Sequence, residues 1–89
     1  MTSQGTAHGR FQRAIARRDL SQAELAAYEL ESLSVEDALQ LVELYADRRS
    51  PKFERAAIRW LLLYAGDGTR SLEDVAATAC WLVERRSRR

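Results

Sequence analysis

The sequence predicts an all-α fold, a compact bundle of five short helices joined by short loops. Three observations carry that expectation. Ala and Leu dominate and Pro occurs once, a composition that favours helix throughout. Serines followed three residues later by an acid recur along the chain, as helix N-termini require. Apolar residues recur every three to four positions, and no alternation of period two lasts long enough to make a strand.

The caps divide the chain into helices over about 8–18, 21–32, 34–47, 51–65 and 71–86, with boundaries good to about two to four residues. Ser21 with Glu24 reads as a capping box, and Ser34 with Asp37 and Ser71 with Asp74 as its shorter form. In each, the serine oxygen accepts an orphan backbone N–H and the acid sits at the positive end of the helix dipole. Ser50-Pro51 places a cap before a proline, which suits the first helical position. Gly66 and Gly68 end the fourth helix. Arg48, Arg49, Arg85 and Arg86 fall in last turns, where cations complement the dipole.

The apolar faces follow in order. The first helix offers Phe11, Ala14 and Ile15; the second offers Ala23, Ala27 and Leu30, with Leu20 as a staple before it. The third carries Val35, Leu39, Val42 and Ala46, widened by Ala38, Leu41, Leu44 and Tyr45. The fourth carries Phe53, Ala57, Trp60, Leu61 and Tyr64, and also Ile58 and Leu62. The fifth carries Leu72, Val75, Ala76, Ala79 and Val83. Helices three and four are apolar around much of their girth, so they are expected to be central or to face a partner chain, with central preferred. Ser34-Val35-Glu36-Asp37 echoes Ser71-Leu72-Glu73-Asp74 at an offset of 37 residues, but the residues between do not match. The echo therefore reads as two well-capped helices of one length.

With 89 residues the chain is one domain, taken as a flexible tail over 1–7, a helical body over 8–86 and a basic end over 87–89. The longest apolar run, Trp60 to Ala65, falls far short of the roughly 20 residues of a membrane span, so no membrane partner is expected. Met1 to Gly9 has no apolar core of a secretory signal. The single Cys80 excludes an internal disulfide and fits a cytoplasmic setting. One His and one Cys leave no zinc site, and no phosphate-cradling glycine loop is present, so no cofactor is expected. His8 lies between small residues in the expected tail, where no general base would be held in place. Cys80 is expected to be a small buried hydrophobe. The inventory lacks an acid, base and nucleophile set, so no enzyme is expected.

The net charge of +1 hides segregation. Residues 1–20 are basic, 21–47 hold seven acids and no base, 48–60 are basic again, and 84–89 add Arg85, Arg86, Arg88 and Arg89. Neighbours of opposite charge should neutralise one another as surface pairs of about 0–1 kcal/mol each, with no single basic face. Thirteen of the fourteen basic residues are Arg, which codon bias explains more simply than a need for forked donors.

Phe53-Glu54-Arg55-Ala56-Ala57-Ile58-Arg59-Trp60-Leu61 resembles a segment of small Ala/Arg-rich helical proteins of actinobacteria. There it follows a segment like Leu33-Ser34-Val35-Glu36-Asp37-Ala38-Leu39 and precedes one like Leu72-Glu73-Asp74-Val75. The resemblance covers residues 10–84. It implies a bacterial, cytosolic, all-helical protein and carries no activity.

Two readings of function remain. The preferred one is a protein-interaction module that binds another protein or itself. Its contact residues are Arg55 and Arg59, one basic ridge at spacing i, i+4, with Trp60 and Trp81 as aromatic anchors. Leu25, Tyr28 and Leu41 also lie off the main stripes. Self-association would set the acidic stretch 21–47 against the basic stretch 48–60. The alternative is an electrostatic nucleic-acid accessory protein using Arg85, Arg86, Arg88 and Arg89. The segment from Ser71 resembles the first helix of a helix-turn-helix, but the turn position is Cys80 and no recognition helix follows.

Overall fold

A computed structural model describes residues 6–30, 32–66 and 68–87. Five helices run in order: α1 Ala7–Arg17, α2 Leu20–Glu29, α3 Val35–Asp47, α4 Phe53–Ala65 and α5 Leu72–Ser87. The described residues hold no strand, and no described helix is long and apolar enough to cross a membrane. The all-α bundle of five short helices is therefore the architecture observed. The helical body begins one residue before position 8 and extends to Ser87. Thr6 and Ala7, expected in the tail, are the cap and first residue of α1.

The caps expected at α3 and α5 form. Ser34 Oγ accepts from Asp37 N at 3.0 Å and Ser71 Oγ from Asp74 N at 3.0 Å. The cap expected at Ser50-Pro51 is displaced: α4 begins at Phe53 with Lys52 at its N-cap and no side-chain cap bond, and Ser50 Oγ accepts from Lys52 N at 3.1 Å within the preceding turn. The box expected at Ser21 is not formed. Asp19 caps α2 instead, accepting from Gln22 N at 3.2 Å. The reason lies one residue upstream: Arg18 takes a left-handed turn at φ 60°, which reverses the chain and delivers Asp19 to the cap position. That leaves Glu24 free for other work.

Two helices end in Schellman motifs closed by arginine. After α1, Asp19 N donates to Ala14 O and Arg18 N to Ile15 O. After α3, Ser50 N donates to Tyr45 O and Arg49 N to Ala46 O, with Arg49 at φ 54°. Glycine is the usual residue at such a position because a Cβ is disfavoured there. Of the two glycines expected to end α4, Gly66 is right-handed at φ −70° and only Gly68, at φ 76°, is left-handed.

α3 packs on all four other helices, whereas α4 touches only α3 and α5. The expectation of a central helix is met by α3; α4 keeps a free arc. The core is accordingly in two parts. Phe11, Ala14, Ala23, Ala26 and Leu44 lie between α1, α2 and α3. Val42, Tyr45, Ala46, Phe53, Ala57, Trp60 and Leu82 lie between α3, α4 and α5. Leu20 and Leu41 pack against both. The bundle is only 17 Å across in its thinnest direction, so each helix outside α3 shows a long face to solvent.

Ion pairs tie the basic stretches to the acidic ones, as the charge pattern predicts. Arg10 pairs with Glu29, Lys52 with Glu24, and Arg86 with Glu54. Asp47 receives both Arg18 of the α1–α2 turn and Arg85 of α5. It sits in the last turn of α3, where the dipole disfavours an anion, and two guanidinium groups offset that.

Candidate interaction surface

α2 and α4 flank α3 without touching each other, and an open groove runs between them. Leu41 and Tyr45 of α3 floor it; Tyr28 of α2 and Ile58 and Leu62 of α4 stand on its walls. Tyr28 is 87% exposed, Leu62 69% and Ile58 54%, so three large apolar side chains meet water around one concavity. The volume is about 1010 Å³. That matches the upper end of small-molecule sites, but this groove is open along its length where such sites enclose their ligand.

One end is closed by a polar unit. Glu24 accepts from Tyr45 Oη at 2.6 Å and from Lys52 Nζ at 3.0 Å, so it bridges α2 to α3 and to the turn before α4. The bond from Tyr45 holds the Glu24 carboxyl below the usual glutamate range, with Lys52 assisting and burial opposing. Burial and then the Glu24 charge hold the Tyr45 phenol well above the usual tyrosine value.

Arg55 and Arg59 lie on the α4 side of the groove. Neither has a carboxylate within ion-pair distance among the described residues. The groove's two carboxylates are both engaged, Glu24 with Lys52 and Glu54 with Arg86. The uncompensated charge of the groove is therefore positive and concentrated on those two arginines.

The expected contact residues are thus divided. Arg55 and Arg59 stand together at the groove. Trp60 does not join them: it is 5% exposed, donates from Nε1 to Val35 O at 2.9 Å, and stacks on Tyr64 with ring centroids 5.0 Å apart. It anchors α4 to α3 from inside and is corrected here to a core residue. Trp81 is 39% exposed on α5 and is not part of the groove. Arg85 and Arg86, placed in the nucleic-acid alternative, hold α5 to Asp47 and Glu54. Arg88 and Arg89 lie outside the described residues.

Two further expectations are corrected. His8 is a residue of α1 whose Nε2 lies 3.1 Å from Asp37 Oδ2, and Gln12 Nε2 donates to the other oxygen at 2.7 Å. Cys80 is exposed, because it lies on the side of α5 away from Leu82, the helix's single buried residue. The sequence reading missed Ile58 and Leu62 as surface residues and missed the Glu24–Tyr45–Lys52 unit. A signal for the first existed. At about 100° per residue, Leu62 lies about 200° from Trp60, so one neighbouring layer could not bury both.

No protein-family model, curated protein or solved structure matches this chain.

Proposed function

We propose that this protein is a small cytosolic protein-interaction module without catalytic activity, and that the α2–α3–α4 groove is its docking surface. The observation that carries the reading is the coincidence, around one concavity, of Tyr28, Ile58 and Leu62 exposed to water with two arginines that have no carboxylate within ion-pair distance among the described residues. Aromatic residues and arginine are enriched where binding energy concentrates at protein interfaces. An exposed apolar cluster rimmed by polar groups is the surface such sites present.

Self-association by charge is the weaker form of this reading. Of the acids expected to meet the basic stretch of a second copy, Glu24, Glu29, Asp37 and Asp47 are already engaged within the chain. Nucleic-acid binding draws less support for the same reason, since Arg85 and Arg86 are held by carboxylates.

Affinity capture from a bacterial lysate, run with the unaltered protein and with an Ile58→Asp/Leu62→Asp variant, tests the proposal. Both positions are exposed, so the variant keeps its fold. A stoichiometric protein partner that survives nuclease and high salt and is lost with the variant is the expected result. A nuclease-sensitive, salt-sensitive yield indifferent to the variant contradicts it.

A further inference from the structure

We infer that the groove receives an amphipathic α-helix of a partner protein, about three turns long, apolar inside and carrying acidic residues one turn apart on the flank that meets Arg55 and Arg59. This rests on the reading of the groove as a docking surface and adds the chemistry of its occupant.

The length comes from α4. The stretch from Lys52 to Leu62 that borders the groove rises about 15 Å, the length of a ten- to eleven-residue helix. The conformation follows from the walls. They are α2, α3 and α4 with Leu33 and Pro51–Lys52 of the connecting segments, and none of these described residues is in a strand, so the groove offers no strand edge to an extended peptide. A strand laid on Leu41, Ile58 and Leu62 would leave its own N–H and C=O groups unpaired against apolar side chains, whereas a helix satisfies them internally.

The charge of the occupant follows from pairing within the groove. Arg55 and Arg59 are four residues apart, so their Cα atoms lie about 6 Å apart along the α4 axis and their side chains leave one face of it. Two carboxylates at i and i+4 on a helix alongside α4 have the same spacing. Acids are favoured on that flank alone, because the closed end presents Glu24, already bonded to Tyr45 and Lys52.

A second copy fits poorly. Its α3 is central to its own fold, and the acids of its α5, Glu73, Asp74 and Glu84, include no pair one turn apart. A nucleic acid fits poorly too, since Tyr28, Ile58 and Leu62 have no phosphate to meet.

The probe is a displayed library of helix-favouring 16-residue peptides, selected against the full chain. Enriched peptides are expected to carry apolar residues at i, i+3, i+4 and i+7 with Asp or Glu at i, i+4 on one flank. The Arg55→Glu/Arg59→Glu variant is expected to lose about tenfold or more in affinity for them and to regain it for peptides whose acids are changed to Lys. Unchanged thermal unfolding of the variant shows that the loss is local. Enrichment of neutral or basic peptides, or indifference to the charge reversal with loss on Leu62→Asp, overturns the acidic-helix inference and leaves the groove as a docking site. No enrichment, or enrichment indifferent to Leu62→Asp, overturns both. Concentration-dependent dimerisation abolished by Arg55→Glu/Arg59→Glu, or an oligonucleotide displacing the peptides, replaces the partner helix with that occupant.

Discussion

Tyr45 does two jobs with one side chain: its ring is core and its hydroxyl is the donor that fixes Glu24. The linkage gives stability a two-sided pH dependence. Glu24 titrates below its ordinary value in the fold, so its contribution is present above about pH 4.3 and is lost as pH falls through the lowered folded value. Tyr45 titrates above its ordinary value, so its contribution is present below about pH 10 and is lost as pH rises beyond it. Tyr45→Phe is expected to cost about 1–2 kcal/mol near neutral pH and to flatten both limbs, measured by urea unfolding across the pH range. Trp60→Ala removes a buried indole and its bond to Val35 O and is expected to cost about 3–5 kcal/mol. Against it, Leu62→Ala on the open arc is expected to change stability by less than about 0.5 kcal/mol in the same assay. Arg49→Gly relieves a left-handed Cβ at φ 54° and is expected to raise stability by about 1 kcal/mol, read as a higher urea midpoint at constant slope.

Among the elements, α5 is the most weakly held. Leu82 is its one buried side chain; beyond that it is fastened by Arg85 to Asp47, Arg86 to Glu54, and Thr78 Oγ1 to Tyr64 Oη at 3.3 Å. Two of these are surface ion pairs of about 0–1 kcal/mol each. Hydrogen exchange of α5 amides is therefore expected to run faster than that of α3, and Leu82→Ala to release α5 further while α1 to α3 stay protected. Exchange of α5 as slow as α3 would contradict this. Cys80 on the outer side of α5 is expected to react with a thiol reagent in the native protein at nearly the rate of the unfolded chain.

The helices themselves were legible in the sequence because caps and spacing are local signals. Ser34 and Ser71 act as expected. Ser21 does not, because the competing cap at Asp19 depends on a left-handed Arg18 that no glycine announced. Tertiary pairing was less legible. Glu24 read as part of a capping box until α3 brought Tyr45 to within 2.6 Å of it. In the expected site, the i, i+4 ridge of Arg55 and Arg59 is a property of one helix and was visible. The spacing of Ile58 and Leu62 from Trp60 shows locally that one layer cannot bury all three, but which side turns inward depends on which neighbours α4 has, and no local signal carries that.

At the scale of the whole molecule, part of the charge segregation along the chain goes into holding the bundle together. Basic α1 and its turn meet Glu29 and Asp47, and basic α5 meets Asp47 and Glu54. What the fold leaves over includes an apolar concavity between α2 and α4 with Arg55 and Arg59 beside it, and, away from that groove, the exposed side chains of Leu25, Leu63, Leu72, Trp81 and Val83. A bundle 17 Å thick with α3 at its centre has little interior to spare, so its chemistry lies on its faces. Added salt is expected to weaken binding at this groove only modestly, because the apolar walls carry most of the contact and two arginines the rest.

The most direct test is amide chemical-shift mapping of the full chain titrated with a groove-selected helical peptide. The account predicts shifts at Ala27, Tyr28, Leu41 and along Arg55 to Leu62, with α5 unmoved. Shifts centred on Trp81, Arg85 and Arg86, with the groove silent, would contradict it.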